Sequence, residues 1–181
     1  MLGRNRLEKR SRRRRGSLAI WLGLVAGLSV LALACAGASW GGNGYDPGTD
    51  VNSMYSTTLY SGAQAWWNAG FTGKGVDVAV IDTGVAPVAG LDAPGKVIYG
   101  PDLSLESQAP NLTNLDTSGH GTFIAGLIAG RDTGVNTPYA AAPPSVYRGM
   151  APDARIVSLK VGTADGGVDV SQVIAAIDCV V

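Results

Sequence analysis

Asp82 closes the run Val76-Asp77-Val78-Ala79-Val80-Ile81, a β-branched stretch of strand length, and is followed by Thr83-Gly84. A carboxylate at the carboxyl end of a parallel strand lies where open α/β sheets collect binding and catalytic groups. Half-buried, with Thr83 and neighbouring N–H groups to keep it ionised, it could orient a base. The alternative is an ordinary strand-end turn, where Asp and Gly are common. His120 is the single histidine of the chain and lies in Ser118-Gly119-His120-Gly121-Thr122, at the mouth of an apolar helix. Two flanking glycines allow close backbone approach, which a packed core imidazole does not need. The positive end of a helix would lower the imidazole pKa and keep it a neutral base. An adjacent carboxylate works the other way, fixing the tautomer and stabilising imidazolium when it forms. Asp82 is the candidate for that carboxylate, and an Asp-His pair could draw a proton from a nucleophile.

The surrounding pattern supplies elements to hold such a pair. Leu59, Ala63, Trp66 and Trp67 fall at helical spacing, and a helix of about three turns ending at Gly70 is expected. Gly73-Lys74-Gly75 turns the chain into the first strand, and Lys96 to Tyr99 reads as a second, weaker one. Gly121 to Ala129 reads as a buried helix opening near Ser118, and Ala154 to Val161 as a third strand. Asp169 and Gln172 form a capping box for a helix from Val170 to Val181. Arg131 to Gly149, rich in Pro, Ala and Gly, reads as an irregular surface loop. Strands alternating with helices imply parallel βαβ units.

These residues also carry a family resemblance. Val80-Ile81-Asp82-Thr83-Gly84-Val85, then Gly119-His120-Gly121-Thr122 with Ala125-Gly126, then Gly149-Met150-Ala151-Pro152-Asp153-Ala154, resemble the subtilisin-like serine peptidases (subtilases). The resemblance runs from about Leu59 to Val181. It implies a three-layer α/β sandwich with a mostly parallel sheet, here truncated, and a serine endopeptidase acting on polypeptide substrates. It also implies that Asp82 is the triad carboxylate and His120 the general base. The order Asp, His, Ser is subtilisin's own and is a precedent, not something read from spacing.

Charge separates the chain into two parts. The first sixteen residues hold eight of the fourteen Lys and Arg and one acid, whereas the remainder has six basic and thirteen acidic side chains, a net −7. A body of that sign does not suit nucleic acid, whose phosphates need a basic face. Arg4 to Arg15, an apolar stretch from Leu18 to about Ala36, and Ala36-Gly37-Ala38 have the layout of a secretory signal. Residues 1–38 are therefore expected to be a signal peptide or membrane anchor, 39–58 a linker, and 59–181 the first part of a peptidase domain. The partners this implies are export machinery and, for an uncleaved anchor, a membrane; the location is secreted or attached to the cell envelope. Cys35 and Cys179 make no disulfide framework.

The sequence also departs from the family pattern. The family's nucleophile lies in a Gly-Thr-Ser-x-Ala motif far downstream, and Ser145, Ser158 and Ser171 lack that context. The resemblance, with that motif missing, implies a chain inactive alone, and the last helix has no Gly, Asn or Pro to end it, so the chain reads as cut off. Family members often bind calcium through an Asp just before the Leu that corresponds to Leu91; Gly90 stands here, so no metal site and no cofactor are assigned. Phe123 occupies a place where the family often has a second His. Two other readings compete. An aspartic peptidase would use Asp82-Thr83-Gly84 with Asp132-Thr133-Gly134, the triplet that repeats it. A non-catalytic secreted or envelope binding protein would keep the fold without the chemistry.

Overall fold

In the computed structural model, which describes residues 44–135 and 138–181, the β-branched runs become strands. β1 (Asp77–Asp82), β2 (Val97–Asp102) and β3 (Arg155–Lys160) form one sheet in the order β1-β3-β2. Both pairings are parallel. β1 and β3 run in register from Asp77 beside Arg155 to Asp82 beside Lys160, and β2 follows β3 until an irregularity between Tyr99 and Asp102. Asp82 thus arrives at the carboxyl edge of the sheet beside the last residue of the central strand.

Alternation along the strands sorts their side chains onto two faces. Val80 and Ile156 meet Ala125 and Ala129 of α3 (His120–Ala129) on one face. Ile81, Val157 and Leu159 meet Val173 and Ala176 of α4 (Val170–Val180) on the other. The result is helix, parallel sheet and helix, the α/β architecture expected from the sequence. Ile156 and Leu159 are fully buried, and each such side chain contributes about 1.5–3 kcal/mol. The Asp169–Gln172 capping box is formed: Ser171 N donates to Asp169 Oδ1 at 2.8 Å and Asp169 N to Gln172 Oε1 at 2.9 Å.

Two expectations are corrected. The three-turn helix is two short ones, α1 (Met54–Tyr60) and α2 (Ala63–Asn68), because Gly62 takes a left-handed φ of 74° between them. The apolar spacing continues across this break, so periodicity alone does not reveal it. The segment from Arg131 to Gly149 is also not simply a surface loop. Its Tyr139 and Arg148 are each 1% exposed. Tyr139 lies edge-on to Trp67, and the Arg148 guanidinium sits over the rings of Tyr55 and Trp67. Arg148 also donates to the carbonyls of Ala142, Pro143 and Val146. A buried guanidinium that gathers its own loop's carbonyls holds the segment against α2. The proposed signal or anchor, 1–38, and the first linker residues lie outside the described residues. Among the described residues no helix is long and apolar enough to cross a membrane.

Candidate active site

β1 delivers Asp82 and α3 delivers His120 as its first residue. Between them the backbones nearly touch: a Cβ on Gly121 would lie 2.1 Å from the Gly84 carbonyl oxygen, so this approach requires glycine. Gly119 serves differently, capping α3 with a φ of 90°. The consequence is a direct side-chain contact. His120 Nδ1 lies 2.8 Å from Asp82 Oδ1 and 2.9 Å from Oδ2. A carboxylate accepts, so Nδ1–H donates and the lone pair of the neutral ring stays on Nε2. The Asp82 side chain is 16% exposed and that of His120 is 62% exposed. The carboxylate is sheltered while the imidazole is open.

The hydrogen bond to Asp82, followed by the charge of that carboxylate, lifts the imidazole pKa above its ordinary value; desolvation opposes the lift and the charge of Asp116 adds to it. Of the two influences expected from the sequence, helix end and carboxylate, the carboxylate is in direct contact with the ring. Thr83 N donates to Asp82 Oδ1 at 2.7 Å, as expected of a neighbouring N–H. The Thr83 hydroxyl goes elsewhere, donating to Asp116 Oδ1 at 2.7 Å and accepting from Gly121 N at 3.0 Å.

A cleft of about 500 Å³ opens beside the pair, lined also by Thr83, Ser118, Val161, Gly162 and Val168. Its size suits a chain segment or small molecule. Glu106 joins three segments next to the cleft-lining Ser118 and Val161: Oε2 accepts from Lys160 Nζ at 2.6 Å and Thr117 Oγ1 at 2.7 Å, and Oε1 accepts from Ala164 N at 2.9 Å. The Lys160 side chain is wholly buried, and its ammonium also reaches the Leu115 carbonyl.

Three residues here escaped the sequence reading. A lysine ending an apolar strand was a signal that a buried acceptor must exist, although it could not name Glu106. Asp116, two and three residues before the backbone N–H groups of Ser118 and Gly119, had the spacing of an Asx turn. Its further bonds to Thr83 and Thr122 join segments that spacing does not connect.

Asp132 does not join Asp82. Its carboxylate accepts from Tyr147 N at 2.8 Å, and it lines clefts that do not include Asp82. Gly90 approaches the Arg131 backbone, where a Cβ would lie 3.0 Å from the carbonyl oxygen. Among the described residues no three His, Cys, Asp or Glu side chains gather where they could share a metal ion.

Comparison with known proteins adds a family. Residues 73–181 match the profile of the subtilase family of peptidases. The chain is 34% identical over 107 residues to the serine protease AprX of Bacillus subtilis (strain 168), covering 59% of this chain and 21% of that protein. It is 30% identical over 112 residues to the minor extracellular protease Epr of the same organism, covering 62% of this chain and 15% of Epr. It is 43% identical over 89 residues to mycosin-1 of Mycobacterium tuberculosis (strain ATCC 25618 / H37Rv), covering 49% and 16%. A solved structure of a cold adapted subtilisin-like serine proteinase aligns with a TM-score of 0.44 at 32% identity, over 61% of this chain and 33% of that one. The chain thus spans about a fifth or less of the length of these three relatives.

Proposed function

Since this chain belongs to the subtilase family, we propose that it is the Asp- and His-bearing part of a serine endopeptidase. The single observation that carries this reading is the contact of His120 Nδ1 with Asp82 at 2.8 Å, which leaves Nε2 free beside an open cleft.

The reaction is acyl transfer. His120 Nε2 takes the proton of a serine hydroxyl as that oxygen attacks the peptide carbonyl, then gives it to the leaving amine. Asp82 holds the tautomer and stabilises the imidazolium between those steps. Backbone donors hold the oxyanion. This reading takes the serine from outside these 181 residues, since no serine after His120 has the family's context. Ser158 is buried within β3, Ser171 is bonded to Asp169, and neither they nor Ser145 lies in a Gly-Thr context. The 181-residue chain is accordingly inactive alone. The basic N-terminus and apolar stretch send the protein out of the cell or fix it to the envelope, in keeping with a relative named an extracellular protease.

The test uses the complete protein. A fluorophosphonate probe is expected to label it and abolish peptide hydrolysis, pepstatin to leave hydrolysis intact, and Asp132→Ala to retain it. Inhibition by pepstatin with no fluorophosphonate labelling would replace this reading with the aspartic one. Absence of both hydrolysis and labelling in the folded protein would favour a binding protein that keeps the fold.

A further inference from the structure

Asp116 lies in the turn before α3, four residues ahead of His120, and is part of neither proton step above. Its carboxylate accepts five hydrogen bonds of 2.5–3.2 Å. Oδ1 receives Thr83 Oγ1 from the end of β1 together with Ser118 N and Gly119 N, the two amides just ahead of His120. Oδ2 receives Thr122 N and Thr122 Oγ1 from the first turn of α3. Thr122 Oγ1 in turn accepts from Ala86 N at 2.9 Å, and Thr83 Oγ1 from Gly121 N. One carboxylate therefore closes the loop between the residue after Asp82 and the residues on both sides of His120.

We propose that Asp116 is a positioning residue of this site, holding His120 against Asp82 and adding a second negative charge to the site. The inference rests on the reading of His120 as general base.

The donor pattern requires a carboxylate. All five partners donate, and an amide at this position would turn an NH2 group against them. Burial pushes the Asp116 pKa up, but the hydrogen bonds from Thr122, Thr83 and Gly119 outweigh it and hold the group below its ordinary value. Asp116 is thus charged throughout the range in which His120 titrates. Among the described residues, the charges that act on His120 are those of Asp82 and Asp116. Asp82 faces it from β1. Lys160 on β3 is engaged by Glu106 and the Leu115 carbonyl, and Asp165 accepts from Thr163 Oγ1 and Gly167 N.

The experiment is the pH dependence of kcat/KM in the complete enzyme for the unmodified protein and the variants Asp116→Asn, Asp116→Glu, Thr83→Val and His120→Ala. Asp116→Asn is expected to lower the plateau about 10- to 100-fold and to move the acid limb down by a few tenths of a pH unit, the size of one screened charge. Asp116→Glu and Thr83→Val keep the charge, so they lower the plateau with the limb in place. A role in folding alone would lower activity for Asp116→Asn without moving the limb, and that result overturns the electrostatic claim. Should Asp116→Asn not fold, Thr83→Val decides the positioning claim, and an unchanged plateau overturns it. His120→Ala separates the two levels. If it keeps full activity, the proposed function fails; if it is silent while Asp116→Asn behaves as the unmodified enzyme, only the present inference fails.

Discussion

His120 Nδ1 and Asp82 Oδ1 lie 2.8 Å apart although thirty-eight residues separate them in the chain. The contact depends on the backbone more than on the two side chains. Asp82 is placed by the parallel pairing of β1 with β3, and His120 by a helix that starts where Gly121 slides beneath Gly84. A side chain at Gly121 would force those segments apart.

In the complete enzyme, Asp82→Asn is expected to lower kcat by about 10⁴. This magnitude is that of the triad carboxylate in subtilisin and related peptidases, not one drawn from this structure. The amide presents its NH2 to Nδ1 and favours the wrong tautomer. Steady-state kinetics on a peptide substrate measures the loss, and one under tenfold contradicts the assigned role.

The raised pKa of His120 fixes the sign of two pH effects. A general base must be neutral, so kcat/KM rises with pH through a value above the ordinary 6.5. Asp82→Asn removes the main cause of the lift and moves that limb toward acid. For stability the sign is opposite. The native state binds the proton more tightly, so this contribution is complete below 6.5 and is lost as pH rises through the folded value. Denaturant unfolding across this pH range, with and without His120→Ala, reads the second effect. Stability attributable to His120 that grows with pH would refute it.

Much of this site was legible in the sequence. The β1 run, the lone histidine with its two glycines, and the Asp169–Gln172 cap each announce themselves through local pattern. Residues whose function is set by distant partners did not. Asp116 meets Thr83, Glu106 meets Lys160 and Ala164, and Arg148 meets Tyr55 and Trp67 only after the chain has folded. The break at Gly62 was lost for a different reason. Apolar spacing holds across it, and the left-handed φ of Gly62 shows only in the folded backbone.

Lys96 provides a stability test remote from the proposed catalytic pair. Its Nζ donates to the Pro152 and Ala154 carbonyls at 2.7 and 2.8 Å. Burial, followed by the charge of Arg131, lowers its pKa to about 8. Between about 8 and the ordinary 10.5 the unfolded chain holds more protons than the folded one, so stability rises with pH over that window. Urea midpoints of the complete protein measured from pH 7.5 to 10.5 are expected to show the rise, and Lys96→Met to remove it. A Lys96-dependent fall in the same window contradicts the placement of this ammonium.

Glu106 and Lys160 are expected to behave as a coupled pair. Glu106→Gln leaves the wholly buried ammonium of Lys160 without its counter-charge, which costs more than removing both charges. The melting temperature should fall by about 4 °C or more for the single change and recover part of that loss in Glu106→Gln/Lys160→Met. Glu106 also bonds Thr117, the neighbour of the cleft-lining Ser118, and Ala164, so the double variant should show an elevated KM. Calorimetry and substrate titration separate the two effects. Additive losses in melting temperature would show that the pair is not coupled.

The most direct measurement is kcat/KM of the complete enzyme on a peptide substrate before and after His120→Ala, with folding checked by circular dichroism. Removing the only imidazole of this segment is expected to cost about 10⁶, the loss established for subtilisin's own histidine rather than one drawn from this structure. A folded variant that retains more than a tenth of the original activity would contradict the account.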